Sequence, residues 1–214
     1  MKQKTLFIVT ALALVIAFFA GILLYTTGQE RDAAQMAEAN KASLLRMHAP
    51  TLGPADATVT IVEFLDPACE TCATFYPRVK QLMAAHPDRI RLVLRWAPFH
   101  QGSDKVVAAL EAARKQGKLW PALEALLTSQ HDWTPNHRPE LPRALARLQA
   151  VGVDMERLAF DMTAPEITRA IAQDVADAEA LKVTKTPTFF VNGKPLPSFG
   201  WAQLQALVDE QLSR

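Results

Sequence analysis

The hydrophobic positions begin as an unbroken run and only later acquire a period. From Thr5 to Gln29 no residue is charged, and Leu6–Tyr25 is almost wholly apolar. At about 1.5 Å per residue, residues 6–25 are long enough to span the roughly 30 Å hydrocarbon core of a bilayer. Lys2 and Lys4 precede the run and Glu30, Arg31 and Asp32 follow it. That asymmetry keeps the N-terminus cytoplasmic and sends the remainder across the membrane. A cleaved signal peptide is the rival reading. Its apolar core usually runs about 7–15 residues and ends in a small-x-small site, for which Val15-Ile16-Ala17 and Thr26-Thr27-Gly28 are poor matches. Either export route delivers the rest of the chain to a compartment where disulfides form.

Residues 29–47 are rich in Ala, Glu and Gln and contain no Gly or Pro, which predicts a helical spacer ending in Leu44, Leu45 and Met47. Pro50 and Gly53-Pro54 then mark the start of a domain. Val59–Leu65 reads as a buried strand, closed by Asp66-Pro67, and Ala68–Ala85 as a helix. Arg89–Trp96, where arginines alternate with Ile, Leu and Val, is a second strand closed by Pro98. The period then turns helical, with pieces at Asp104–Gln116, Pro121–Ser129, Pro142–Val151, Asp154–Met162 and Glu166–Leu181. Thr134–Pro142 holds three prolines and reads as a loop. Thr188–Val191, Asn192-Gly193 and Lys194–Ser198 predict a hairpin with a type I′ turn. Gly200 separates it from a last helix, Ala202–Leu212.

Composition narrows the function classes. A chain of 214 residues, half of them hydrophobic, holds one ordinary domain plus a short segment and is not mainly disordered. Lys and Arg number 23 against 22 Asp and Glu; residues 1–28 hold only Lys2 and Lys4, so the body of the chain is not basic. No nucleic-acid partner is expected. Two cysteines can neither staple a scaffold nor complete a four-ligand zinc site.

Those cysteines form Cys69-Glu70-Thr71-Cys72, directly after a predicted strand and at the opening of a predicted helix. Random placement would give that spacing on the order of one time in a hundred. Unsatisfied N–H groups and the positive end of the helix dipole favour a thiolate there, and the thiolate is the attacking species in disulfide exchange. Cys69 is therefore the candidate nucleophile and Cys72 the resolving thiol. The competing chemistry is a Cu(I) site on the same two sulfurs, although His48, His86 and His100 lack a tight ligand spacing to the pair. Glu63 lies inside the first strand, where a carboxylate is expensive to bury unless neutralised or used. Burial would raise it toward the range of a proton acceptor; an edge-strand position would leave it facing solvent. Pro187, in Thr186-Pro187-Thr188 at the head of a strand, cannot donate to a ladder, and a trans edge proline is the default for such a bond. Pro77 should kink its helix.

From about Val59 to its end the chain resembles the DsbA-like branch of the thioredoxin superfamily. The resemblance rests on an acid six before the first cysteine (Glu63), C-x-x-C (Cys69, Cys72), a proline five after the second (Pro77), Thr186-Pro187 before the hairpin, the Asn192-Gly193 turn and Gly200. It implies an α/β thioredoxin fold over residues 50–214 with an inserted helical subdomain at about 103–181. Residues 1–28 precede it as a transmembrane helix or signal peptide, and 29–49 as a helical spacer. It also implies that Pro187 is a cis-proline packed against Cys69, that the Thr186 backbone meets an extended substrate, and that Glu63 transfers protons. The expected activity is protein thiol–disulfide exchange without a bound cofactor, on protein thiols and disulfides and with a membrane or periplasmic redox partner. The expected location is the inner (cytoplasmic) membrane, single-pass, with the domain outside the cytoplasm.

Glu70 and Thr71 depart from the family's strong oxidases, which carry a histidine at the second of these positions. With no imidazolium and with like charge from Glu70, Cys69 is expected to be less acidic, which favours a reductase or isomerase over a strong oxidase.

Overall fold

The computed structural model describes residues 2–213. Its first element, α1 (Lys2–Leu44), is one continuous helix of 43 residues that passes through Gly21 and Gly28. The window Leu12–Gln29 has a mean hydropathy of 1.8 and buries none of itself against the protein. By length and composition it can cross a membrane. The anchor and the spacer expected from sequence are thus a single rod.

Five strands form one sheet: β1 (Thr51–Leu52), β2 (Val59–Leu65), β3 (Ile90–Trp96), β4 (Thr188–Val191) and β5 (Lys194–Pro195), in the order β1-β3-β2-β4-β5. β2 and β3 are parallel, in register from Val59↔Ile90 to Leu65↔Trp96, so both end at the same level and the loops after them lie side by side. β2 is central, not an edge. Both its faces are covered, which is why it reads as a run of apolar residues rather than an alternation. Side chains alternate across the sheet, so Glu63 shares its face with Val59, Ile61 and Leu65. β5 stops at Pro195, short of the expected Ser198, because Pro195 and Pro197 have no N–H to donate.

α2 (Glu70–Ala85) and α9 (Trp201–Leu212) cover that face, packing Phe75, Val79, Leu204 and Val208 onto Ile61, Leu92 and Phe189. α2 runs unbroken through Pro77. Between β3 and β4 lie α3 (Ser103–Lys115), α4 (Leu119–Thr128), α5 (Gln130–Trp133), α6 (Leu141–Ala150), α7 (Met155–Asp161) and α8 (Pro165–Ala180). These make a helical block whose core joins Leu110, Leu123 and Trp133 to Cys72, Tyr76 and Trp96.

The opposite face of the sheet receives α8 and the end of α1 through Leu44, Val62, Phe64, Ala178 and Phe190. A buried ion network fastens this side. Arg95, fully buried, donates to Asp174 at 2.8 Å and Asp177 at 2.7 Å, and also to the Ser43 and Leu44 carbonyls that end α1. Arg46 donates to Asp177 at 2.6 Å, and His48 Nε2 lies 2.6 Å from Asp174. Asn192 and Gly193 turn the hairpin with φ of 47° and 82°, the two positive angles of a type I′ turn. A Cβ on Gly193 would stand 2.7 Å from the Ala37 carbonyl oxygen, so the turn rests directly on α1.

Candidate active site

Every residue of the site lies at the end of the sheet where β2 and β3 stop. Cys69 is the N-cap of α2, with extended backbone angles, and its carbonyl accepts the first helical bond from Ala73 N–H at 3.1 Å. It is 8% exposed, while Cys72, one turn inward, is fully buried; both are free thiols. With the thiol protonated, Cys69 Sγ donates to the Thr186 carbonyl at 3.3 Å, and the Thr186-Pro187 bond is cis. The residues that the sequence grouped from two distant segments, 69–72 and 186–187, are therefore in contact.

The two sulfurs are electrostatically unlike. The Cys69 thiol is lowered to about 5, chiefly by a hydrogen bond from Cys72, against the opposing effect of burial, with further help from Thr186 and the backbone N–H groups of Cys72 and Thr71. The Cys72 thiol is pushed well up, first by burial and then by Cys69 and Glu63. Glu63 has no exposed surface, and neither of its carboxylate oxygens has a hydrogen-bond partner among the described residues. Burial, reinforced by the Cys69 charge, raises it to about 8.

Glu70, expected to add like charge beside Cys69, is the first residue of α2. Its side chain is 71% exposed and turns toward His137, with Oε1 3.4 Å from Nδ1. Thr71 acts through its backbone N–H rather than through its side chain. The Cys72 thiol first, then Thr186 and the backbone N–H groups of the helix start, favour ionisation of Cys69 without an imidazolium in the C-x-x-C pair.

Sequence reasoning missed the residues behind the nucleophile. Asp66, His100 and Ser103 converge beneath the loop before Cys69. Asp66 accepts from Ala68 N–H at 2.9 Å, an Asx turn, and an Asp-Pro dipeptide ahead of a helix was a usable signal for it. His137 carried none, since only the folding of the proline-rich loop brings it to Glu70. Among the described residues no group of three or more His, Cys, Asp or Glu is placed to hold a metal ion.

A family model described as thioredoxin matches residues 46–210. The chain is 36% identical to a thioredoxin-like oxidoreductase from Silicibacter pomeroyi DSS-3, with a TM-score of 0.71 over 80% of this chain and 97% of that one. It shares the fold of the thiol-disulfide exchange protein alpha-DsbA2 from Wolbachia pipientis, at 20% identity, with a TM-score of 0.73 over 86% of this chain and 97% of that one. It is also 35% identical, over 144 residues, to a Na(+)/H(+) antiporter NhaA from Herminiimonas arsenicoxydans, a match that covers 67% of this chain and 22% of the antiporter. The chain thus spans about a fifth of the length of the curated relatives it matches.

Proposed function

The chain belongs to the thioredoxin family, and on that premise we propose that it is a DsbA-like thiol–disulfide oxidoreductase acting on protein cysteines through Cys69. The observation that carries this reading is the pairing of an acidic, slightly exposed Cys69 with a buried, strongly basic Cys72 and an unpartnered Glu63. In the oxidising direction a substrate thiolate attacks Cys69 Sγ of the Cys69–Cys72 disulfide. A mixed disulfide forms, and Cys72 leaves as a thiolate that takes the Glu63 proton. A second substrate thiolate then attacks the substrate sulfur, and Cys69 departs as the stabilised thiolate. The substrate loses two electrons, which the cysteine pair now holds. The reverse sequence reduces a substrate disulfide, with Glu63 accepting the Cys72 proton.

Disulfide oxidising power rises as the nucleophile's thiolate is stabilised. A Cys69 value near 5 therefore supports the oxidising direction over the reductase leaning drawn from Glu70 and Thr71. Lys2 and Lys4 ahead of an apolar helix support a single-pass anchor, with the domain, residues 50–214, outside the cytoplasm. The antiporter's ion exchange is not carried over from a match to about a fifth of its length.

The test is capture. Cys72→Ser should accumulate mixed disulfides between Cys69 and substrate proteins, and Cys69→Ser should accumulate none. Equal labelling of the two variants would overturn the assignment.

A further inference from the structure

The oxidising direction starts from a substrate thiolate, yet an ordinary cysteine thiol, near 8.5, is only about one part in thirty ionised at pH 7. Glu63 cannot take the remaining proton: it has no exposed surface and, near 8, already carries one. A second acid and base stand at the same end of the sheet. Asp66 follows β2 directly and has no exposed surface. Its Oδ1 accepts from Ala68 N–H at 2.9 Å and from the Ser103 hydroxyl. Its Oδ2 accepts from the His100 backbone N–H at 2.8 Å and lies 2.8 Å from His100 Nδ1. A carboxylate offers about four lone-pair directions. These four contacts fill them, which makes the burial tolerable.

The carboxylate also decides which ring nitrogen is basic. With Oδ2 against it, Nδ1 is assigned the hydrogen, and the free lone pair is left on Nε2. Nε2 has no hydrogen-bond partner among the described residues, and the His100 side chain is 32% exposed. A buried carboxylate that fixes the tautomer of a solvent-facing imidazole is the arrangement of a general base. The same residue sets where that base stands. The Asp66 carbonyl accepts from Cys69 N–H at 3.0 Å, while its carboxylate holds the turn into α3, which Ser103 N–H closes onto the His100 carbonyl at 2.9 Å. Pairing of β2 with β3 continues past the strands, Ala97 N–H donating to the Leu65 carbonyl at 3.0 Å. Cys69 and His100 are thus each bonded to Asp66, in two loops that run side by side at the carboxyl ends of parallel strands, where such sheets take their ligands.

We propose that His100 is a catalytic residue of the exchange reaction, its Nε2 taking the proton of the substrate thiol that attacks Cys69 and returning it to the substrate sulfur in the reverse direction. In the oxidising direction the substrate S–H bond breaks, its proton passing to Nε2 and its electron pair forming the bond to Cys69 Sγ. The Cys69–Cys72 bond breaks, and Cys72 leaves with that electron pair and takes the Glu63 proton. The imidazolium, held by the Asp66 carboxylate, then gives its proton to solvent. The inference rests on the exchange function proposed above.

The experiment sets two thiols against the oxidised full chain at pH 7: glutathione, whose thiol is mostly protonated, and 2-nitro-5-thiobenzoate, which is already ionised. His100→Asn keeps an amide N–H near the place of Nδ1–H, and so the strap to Asp66, but has no outer nitrogen. Its rate with glutathione should fall at least about threefold and at most about thirtyfold, the ceiling set by the thiolate fraction of an ordinary thiol at that pH. Its rate with thiobenzoate should change by less than about twofold. His100→Gln, whose amide is no base either, keeps the test open if His100→Asn does not fold. A loss with thiobenzoate as large as that with glutathione, or a smaller loss with glutathione than threefold, in a folded variant would reduce His100 to a strap for its loop and overturn the proposal. No exchange by the unaltered protein with either thiol would instead overturn the proposed function, and the role of His100 with it.

Discussion

Glu63 carries a proton in a place where water cannot help it hold a charge. Its value near 8 means that it is protonated at neutral pH and can serve as an acid toward a departing Cys72. In the reducing direction, where its ionised form takes the Cys72 proton, replacing it by glutamine should slow release of mixed disulfides more than it slows first attack. General acid–base contributions are typically about 10²–10⁴-fold, so stopped-flow measurement of the two phases resolves even a partial effect. The same two titrations set the pH dependence of the reduced protein's stability. Cys69 falls from 9.0 to about 5 on folding, so its contribution is full above pH 9 and is lost as pH falls toward 5. Glu63 rises from 4.5 to about 8, so its contribution is full below pH 4.5 and is lost as pH rises through 8. Glu63→Gln removes the second trend. The melting temperature of the reduced variant should climb between pH 5 and 8 more steeply than that of the wild type. Parallel curves would mean that Glu63 is hydrated in solution. Thiolate absorbance should titrate Cys69 near 5, and Glu70→Ala should move that midpoint by less than about half a unit, because a solvated charge is strongly screened. A shift of one unit or more would restore the repulsion account.

At the scale of elements, the junctions between segments are tighter than their sequences suggest. Gly193→Ala forces a side chain into a left-handed turn and onto the Ala37 carbonyl. It should destabilise the folded protein by about 1–3 kcal/mol, as strain at such a position does, readable by chemical denaturation. Arg95→Ala removes the one fully buried cation that joins Asp174 to Asp177 and leaves Asp177 with Arg46 alone, a loss of about 3–5 kcal/mol. A variant within about 1 kcal/mol of wild type would show that the network is solvated. These elements also show what was legible. β2 and the core of α2 were readable because continuous apolar runs and helical period survive tertiary contact. β1 has only two residues, too few for any period, and exists because the β3 edge accepts it. Arg95 sits in an alternating strand that suggests a wet face, yet α8 covers that face and supplies the two carboxylates. Cys69, Cys72, Glu63 and Pro187 were legible because C-x-x-C, a buried acid and a proline at a strand head each break a local rule. Asp66 breaks none: its Asp-Pro dipeptide signals a turn, and only the folding of a second loop over it shows what its carboxylate holds.

For the whole molecule, the decisive feature is the absence of any interruption in α1. Residues 30–44 add about 22 Å of helix beyond the apolar window, at about 1.5 Å per residue. The helix end is capped by Arg95 and its flank is seated on the hairpin turn. If the apolar segment lies in a bilayer, as proposed, the domain would be mounted on a post and not tethered on a string. A flexible chain of the same length would sweep its cysteines through a broad volume, diluting them against every thiol within it. A post would confine Cys69 to a thin shell at one height above the lipid. Effective concentration is then high for a partner thiol held at that height and near zero for one held elsewhere. Inserting Gly-Gly-Ser repeats after Arg31 should leave the equilibrium with glutathione unchanged while altering exchange with thiols fixed at graded heights on the membrane. Under the proposed anchoring the helix would act as a ruler, and distance from the bilayer would become part of substrate selection.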